Sequence, residues 1–197
     1  MKTERHPFQP FLPEGARILF LGSFPPQPHR WCMPFYYPNW INDFWRIMGL
    51  IHFADKDHFC IHSEKRFDEP AIRDFCVDKA LAFYDTACEI RRLRDNASDA
   101  FLEVVTPTDI PALLRSIPDC RTIVTTGQKA TEILACHFDR ASRAEKSIPL
   151  PPVGGFIDTH IGSRPIRFWR MPSTSRAYPL PLKKKAEAYR QLFCMPH

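Results

Sequence analysis

The sequence predicts an α/β fold, a three-layer α/β/α sandwich on a central, mainly parallel four-stranded sheet. Two observations carry this. Short apolar runs of strand length recur at 17–22, 80–84, 122–125 and 166–171, the pattern of strands covered on both faces. Stretches of helical periodicity lie between and after them, at 42–50, 110–117, 128–138 and 182–193. Parallel neighbours need a crossover connection, so strands and helices alternating at this spacing argue a parallel sheet between helical layers.

In chain order, residues 1–15 are Pro-rich and polar, an arm laid over the body. The run Arg-Ile-Leu-Phe-Leu-Gly at 17–22 is the first strand. Ser23-Phe24-Pro25-Pro26 cannot extend it, because neither proline donates to a ladder. This places a loop at the carboxyl end of a strand, where open α/β sheets bind ligands. The helix at 42–50 follows, and the second strand ends at Asp85. Asp109 is a good N-cap for the helix at 110–117. The third strand runs into Thr126-Gly127 and the helix at 128–138. Residues 140–160, rich in Pro with a Gly pair, read as an exposed excursion. The fourth strand leads into the loop 172–178, and the helix at 182–193 closes the chain. We expect a single domain over 1–197, with no internal repeat.

Composition agrees. With 197 residues, 44% hydrophobic, the chain suits one core. Twenty Pro against seven Gly favour stiff, extended loops. A net charge of +5 permits an anionic partner without demanding one. The seven Cys are widely spaced with no C-x-x-C, and the start lacks a signal-peptide h-region, so reduced thiols in a cytoplasm are expected. That spacing gives no set of four clustered thiolates for an iron–sulfur centre. The histidines at 29, 52, 58, 62, 137 and 160 show no metal-ligand spacing, and no metal or cofactor is expected. No apolar run reaches the roughly 20 residues that span a bilayer.

Four segments fall at strand ends: Gly-Ser-Phe-Pro-Pro at 22–26, Asp85, Gly-Gln-Lys-Ala at 127–130, and Pro-Ser-Thr-Ser-Arg-Ala-Tyr at 172–178. Loops converging on one sheet edge make a cleft, although each alone is also ordinary turn chemistry. The stretch at 36–49, Tyr-Tyr-Pro-Asn-Trp-Ile-Asn-Asp-Phe-Trp-Arg-Ile-Met-Gly, adds aromatic groups and an Asn just before a helix.

In order and spacing these segments resemble the motifs of the uracil-DNA glycosylase superfamily, most nearly its hypoxanthine-type branch. The segment at 22–26 resembles the Gly-x-x-Pro-Gly loop under the target nucleotide. That at 36–49 resembles the tyrosine-rich segment ending in Asn-x-Phe-Trp. Residues 80–88 and 124–130 resemble the second and third strands with the loops that follow, and Met-Pro-Ser-Thr-Ser at 171–175 resembles the closing motif. The match runs from about residue 17 to residue 180.

The resemblance implies a monofunctional glycosylase that hydrolyses the N-glycosidic bond of a deaminated base, uracil or hypoxanthine, in DNA for base excision repair. That chemistry must position a water, stabilise a departing base anion and hold the nucleotide outside the stack. Asn42 is the candidate for the water, with capping of the next helix as its other reading, and adjacent Asp43 is the alternative carboxylate. Gly22, Ser23, Phe24, Pro25, Tyr36, Tyr37, Asp85 and Thr126 are the candidate base pocket. Phe24 and one of the tyrosines supply stacking faces; Asp85 reads equally as a turn partner. Ser173, Thr174, Ser175, Arg176 and Tyr178 are the candidate DNA contacts, with Arg176 and Tyr178 as wedge groups. Lys183, Lys184 and Lys185 read as a solvated helix face. The partner implied is DNA with a damaged base; no membrane or obligate protein partner is implied.

The chain departs from the family at Pro26 where Gly is usual, at Phe24 where mismatch-specific relatives have Asn, at Met171 where several branches have His, and at Thr126 where many hypoxanthine-type members have Asn. These departures keep in view a DNA-binding relative with weakened or lost catalysis; the same strand-end cleft would also suit an enzyme of a small nucleotide, ranked last because no Walker loop or Rossmann glycine fingerprint is present.

Overall fold

Residues Ile18–Gly22 have no polar side chain among them, and all five are buried as strand β2. In the computed structural model, which describes residues 3–93, 102–142 and 149–194 (without the side chains of 137–142), β2 is an inner strand of a five-stranded sheet. The spatial order is β5 (Leu81–Asp85), β2, β8 (Thr122–Thr126), β10 (Arg164–Met171) and β9 (Gly155–Ile161). The first four pair in parallel, and β9 runs antiparallel to β10.

The four expected parallel strands therefore form, but the sheet has five strands, not four. The fifth comes from residues read as an excursion. Gly162, at φ +60, lets the chain reverse between β9 and β10. As an edge strand β9 is mostly only half covered, so it lacks the continuous apolar run that marks its neighbours.

A second sheet, antiparallel, was not legible. Its order is β1 (Thr3–Arg5), β6 (Ala87–Arg92) and β7 (Leu102–Pro107). The arm is thus partly a strand. Further on, Phe11 exchanges two backbone hydrogen bonds with Phe83, at 3.0 and 2.8 Å, and covers the outer edge of β5. A short hairpin pairs β3 (Cys60–Ile61) with β4 (Arg66–Phe67).

Five α-helices and two short 3-10 turns complete the described fold, the α-helices being α1 (Phe44–Phe53), α2 (Glu69–Asp78), α3 (Ile110–Ser116), α4 (Gln128–Ser142) and α5 (Leu182–Cys194). Asp109 caps α3 as expected, accepting from the Ala112 N–H at 2.9 Å. Helix α2 escaped the sequence reading because Asp-Glu-Pro at 68–70 looks like loop punctuation. Asp68 is instead its N-cap and Pro70 lies in its first turn. Helix α2 packs on β5, α4 on β8 and α1 on α5. None of the described helices is long and apolar enough to cross a membrane.

The core joins Phe20, Phe83, Phe44, Trp45 and Phe35, all essentially inaccessible. The Phe20 and Phe83 rings stack at 5.4 Å across adjacent strands. This aromatic floor supports the strand ends above it.

Candidate functional site

Gly22 pairs in register with Asp85, and Thr126 with Met171. Four strands therefore end near one level, and the loops beyond them bound a cleft of about 840 Å³. Its wall contains Gly22, Ser23, Phe24 and Pro25 from the first loop, and Tyr36, Tyr37 and Asn42 from the segment before α1. Asp85 and Thr126 come from strand ends, and Ser173, Thr174, Ser175, Arg176 and Tyr178 from the closing loop. Every residue selected from the sequence lines this cleft except Asp43.

The first loop is held stiffly. A Cβ on Gly22 would stand 2.5 Å from Oδ1 of Asp85, so only glycine fits without displacing the carboxylate. The Gly22 carbonyl accepts from the Thr86 N–H and hydroxyl. Pro25 and Pro26 have no N–H, and their carbonyls accept from the Arg92 guanidinium and the Trp31 indole, each at 2.7 Å. Phe24, between these anchors, lies under the Arg92 guanidinium at 5.7 Å.

Both tyrosines are fixed more firmly than stacking groups need be. Tyr37 adopts φ +52, an uncommon conformation for a bulky residue. Its ring lies flat on Phe44, with centroids 3.9 Å apart, and its hydroxyl shares a hydrogen bond with Thr126 Oγ1 at 2.8 Å. One face of Tyr37 is thus occupied by the protein. The Tyr36 hydroxyl donates to the Gln9 carbonyl at 2.8 Å. Burial pushes both phenols far above their usual range, so both stay neutral.

Asn42 is not the N-cap of α1, which is Asp43, but lies one residue before it, and its Oδ1 accepts from the Phe44 N–H at 2.9 Å. An amide oxygen has two lone pairs, so the same bond that orients the side chain leaves an acceptor site. Asp43 does not line the cleft. It is 4% exposed, with Oδ2 2.8 Å from Lys185 Nζ and Oδ1 3.4 Å from Arg176 Nε. Lys185 also donates to the Ser175 carbonyl at 2.8 Å. The expected solvated lysine face is corrected here: Lys183 and Lys184 are exposed, but Lys185 is 1% exposed. Its ammonium fastens the closing loop to the start of α1.

Within the closing loop, Ser173 Oγ accepts from Ser175 N–H and Ser175 Oγ from Ala177 N–H, each at 3.2 Å. The Thr174 carbonyl accepts from the Asp43 N–H at 2.9 Å. Ser173 sits beside Gly127, whose φ of +105 demands glycine. Arg176 reaches the rim with a side chain 61% exposed. Met171, buried at 1% exposure, presents no polar group.

Three residues that line or brace the cleft escaped the sequence reading. Lys185 is one. Arg92 is the second, lining the cleft while paired with Glu4 at 3.0 Å. The third is His6, whose Nε2 lies 3.0 Å from Oδ2 of Asp85. No spacing signal links residues 6 and 85; the pairing of β1 with β6, the His6 N–H bond to the Cys88 carbonyl and the Phe11–Phe83 bridge bring them together. Arg30, Arg92, Lys129 and Arg176 give the cleft a basic lining, against Asp85 and Glu132.

Outside the cleft, ligating atoms of Asp57, Cys60 and His62 come within 4.8 Å of one another, a grouping the sequence reading passed over. Lys56 lies 2.8 Å from Asp57 Oδ2 and already answers that charge, and burial raises the Cys60 pKa, disfavouring the thiolate a metal needs.

No family model matches the chain, and no curated protein matches it. Among solved structures it is similar to the solution NMR structure of a "putative Uracil DNA glycosylase" from Methanosarcina acetivorans, with a TM-score of 0.62 and 20% identity. The similarity covers 98% of this chain and 100% of that one. At this identity the likeness establishes a shared fold.

Proposed function

We propose that the protein is a monofunctional DNA glycosylase that releases a deaminated base, uracil or hypoxanthine, from DNA, with residues 1–197 acting as one domain. The observation that carries the reading is the convergence of the first loop, the Tyr36–Asn42 segment and the closing loop on one cleft at the strand ends. These are the parts that base extrusion and glycosidic hydrolysis require. The fold shared with a structure described as a glycosylase supports it, as does the basic lining of the cleft.

In this reading Asn42 accepts a hydrogen bond from the attacking water, its amide aligned by the Phe44 N–H. Phe24 stacks on the extruded base, a contact worth about 1–3 kcal/mol. Backbone N–H groups of the first loop face a base carbonyl where negative charge develops. Ser173, Thr174 and Ser175 contact phosphates, while Arg176 and Tyr178 occupy the space beside the extruded nucleotide. Asp43 holds the closing loop. The reading invokes no metal or cofactor. Seven unpaired cysteines favour a reducing compartment, the cytoplasm.

The test is a panel of oligonucleotides bearing uracil, hypoxanthine, xanthine or mismatched thymine, read by alkaline cleavage. Release of uracil or hypoxanthine is expected, and Asn42→Ala should slow it roughly 10²–10³-fold while costing about 1 kcal/mol of stability from the lost hydrogen bond to the Phe44 N–H. Tight binding to abasic DNA without release of any base would replace this reading with that of a DNA-binding relative, the alternative raised by Pro26, Thr126 and Met171.

A further inference from the structure

The first turn of α1 carries a charge of the unfavourable sign. Asp43 is the N-cap, Phe44 and Trp45 follow, and Arg46 is the third helical residue. A helix N-terminus bears partial positive charge, and a Glu or Gln at that third position would close a capping box. Arg46 is a cation instead, and it is 8% exposed. Burying a charge is costly unless it is paired. Its hydrogen-bond partners among the described residues are two main-chain carbonyls and no carboxylate. A side chain that breaks the local rule and bears that cost points to a task beyond the helix.

One terminal nitrogen, Nη1, donates to both carbonyls, to Trp40 at 2.7 Å and to Asn42 at 3.1 Å. The guanidinium lies over the Trp40 ring at 4.6 Å and over the Phe67 ring at 5.2 Å, and the two rings are 5.1 Å apart. The planar fork therefore sits in an aromatic corner with its N–H directions set. Each carbonyl it holds fixes the tilt of a peptide plane, one before Ile41 and one after Asn42. The Asn42 N–H donates to the Asn39 carbonyl at 2.8 Å, and its Oδ1 accepts from the Phe44 N–H at 2.9 Å. Asn42 is thus held at its N–H, its carbonyl and its side chain. Because an N–H donates to it, the side-chain atom at Phe44 is the oxygen and not the amide nitrogen.

Resting on the glycosylase reading, we propose that Arg46 is the positioning residue for Asn42, fixing the peptide plane from which the amide oxygen meets the attacking water. A guanidinium is not deprotonated in proteins, so the clamp does not loosen with pH. A lysine ammonium keeps the charge but is a point donor with no plane to fit the aromatic corner. Without the clamp the Asn42 carbonyl is free to turn and the side chain moves with it. A displacement of about 1 Å at such a group costs about 10²-fold in rate.

The test uses Arg46→Met, which keeps an apolar stem, and Arg46→Lys, which keeps the charge, each alone and combined with Asn42→Ala. Single-turnover release of uracil or hypoxanthine is measured beside equilibrium binding of the same oligonucleotide. Arg46→Met should slow release about 10²-fold, a loss in the rate and not in the affinity. Arg46→Lys should fall between it and the wild type. In the Asn42→Ala background Arg46→Met should add less than about a twofold further loss, because the two residues act as one unit. An equal factor in both backgrounds would make Arg46 a general support and strike out the assignment.

A second readout is independent of activity. Phe44 is the first helical residue, so its N–H has no intrahelical partner, and its protection from hydrogen exchange reports the bond to Asn42. Arg46→Met should lower that protection about tenfold, the worth of one hydrogen bond. The Ile47 N–H, bonded to the Asp43 carbonyl at 2.8 Å, should keep its own. If Arg46→Met does not fold, Arg46→Lys carries the same comparison with the same signs. Joint loss at Phe44 and Ile47, or unfolding of both variants, assigns Arg46 to the fold alone and overturns the positioning role. Base release with Phe44 protection unchanged overturns it while the glycosylase survives. Selective loss at Phe44 in a protein that releases no base leaves the clamp standing and removes the glycosylase reading. No release and no change at Phe44 overturns both.

Discussion

Lys185→Met tests whether the closing loop is held by a buried charge pair. The ammonium serves two acceptors at 2.8 Å, Oδ2 of Asp43 and the Ser175 carbonyl. Methionine replaces most of the side-chain volume, so the main change is a carboxylate, 4% exposed, that loses its buried partner. Removing one member of such a pair costs about 3–5 kcal/mol. Arg176 remains 3.4 Å away, but its side chain is 61% exposed and offers only screened compensation. We therefore expect a loss of about 3 kcal/mol, or a melting point lower by about 6–12 °C for a chain of this size. Urea unfolding followed by tryptophan fluorescence measures it. Lys185→Met combined with Asp43→Leu should recover most of the loss, because both charges are then gone. A loss below about 1 kcal/mol in the single variant, the range of exposed pairs, would refute the argument.

Three further outcomes follow from the geometry. Gly22→Ala should fold but release bases at least about tenfold more slowly, since its Cβ displaces Asp85 Oδ1 from 2.5 Å; unchanged kinetics would mean that carboxylate has no fixed task. Arg176→Ala should impair release from a paired base more than from single-stranded DNA, because a wedge matters only where a stack must be broken; equal effects would reduce Arg176 to a phosphate contact. His52, pushed down to about 4 by burial and by Lys79 and Arg190, is neutral in the fold, so its contribution is full above pH 6.5 and is lost as pH falls toward 4. His52→Leu should gain melting temperature relative to wild type across that window, and a constant difference between the two would exclude the linkage.

The parallel strands β2 and β5 were legible because both are buried along their whole length, a continuous apolar signal in 18–22 and 81–84, although β5 is an edge strand whose free edge is covered by the Phe11 segment. An edge strand left half covered bears no such demand. β9 alternates weakly and was passed over, and so was the antiparallel sheet, whose β7 is largely exposed. The cleft-lining loops were legible because proline, glycine and serine cluster where strands stop. What could not be read was partnership across the chain. Asn42 and Asp43 are adjacent and were given the same task, yet only the helix that begins at Phe44 decides which one faces the cleft. His6 and Lys185 are single residues in a polar arm and a lysine run. Their partners lie 79 and 142 positions away, and no local pattern encodes such distances.

In the glycosylase reading, a cleft that takes a polyanion yet is walled by a carboxylate holds a conflict that the architecture separates by depth. Asp85 is 7% exposed at a strand end, whereas Arg176 stands out at the rim. Rim cations meet phosphates in water, where their attraction is long-ranged and screened over about 10 Å by salt. The recessed carboxylate meets only a group delivered to hydrogen-bonding distance, in surroundings of low dielectric where direction matters more than net charge. On that proposal, affinity for the strand and placement of the base are set by different residues. His6 and Lys185 sit on the protein side of the two devices, one bonded to Asp85 and one to the closing loop. Each meets its carboxylate inside the fold, so Asp85 and the closing loop are both set before any ligand arrives, and binding need not supply the energy of arranging them.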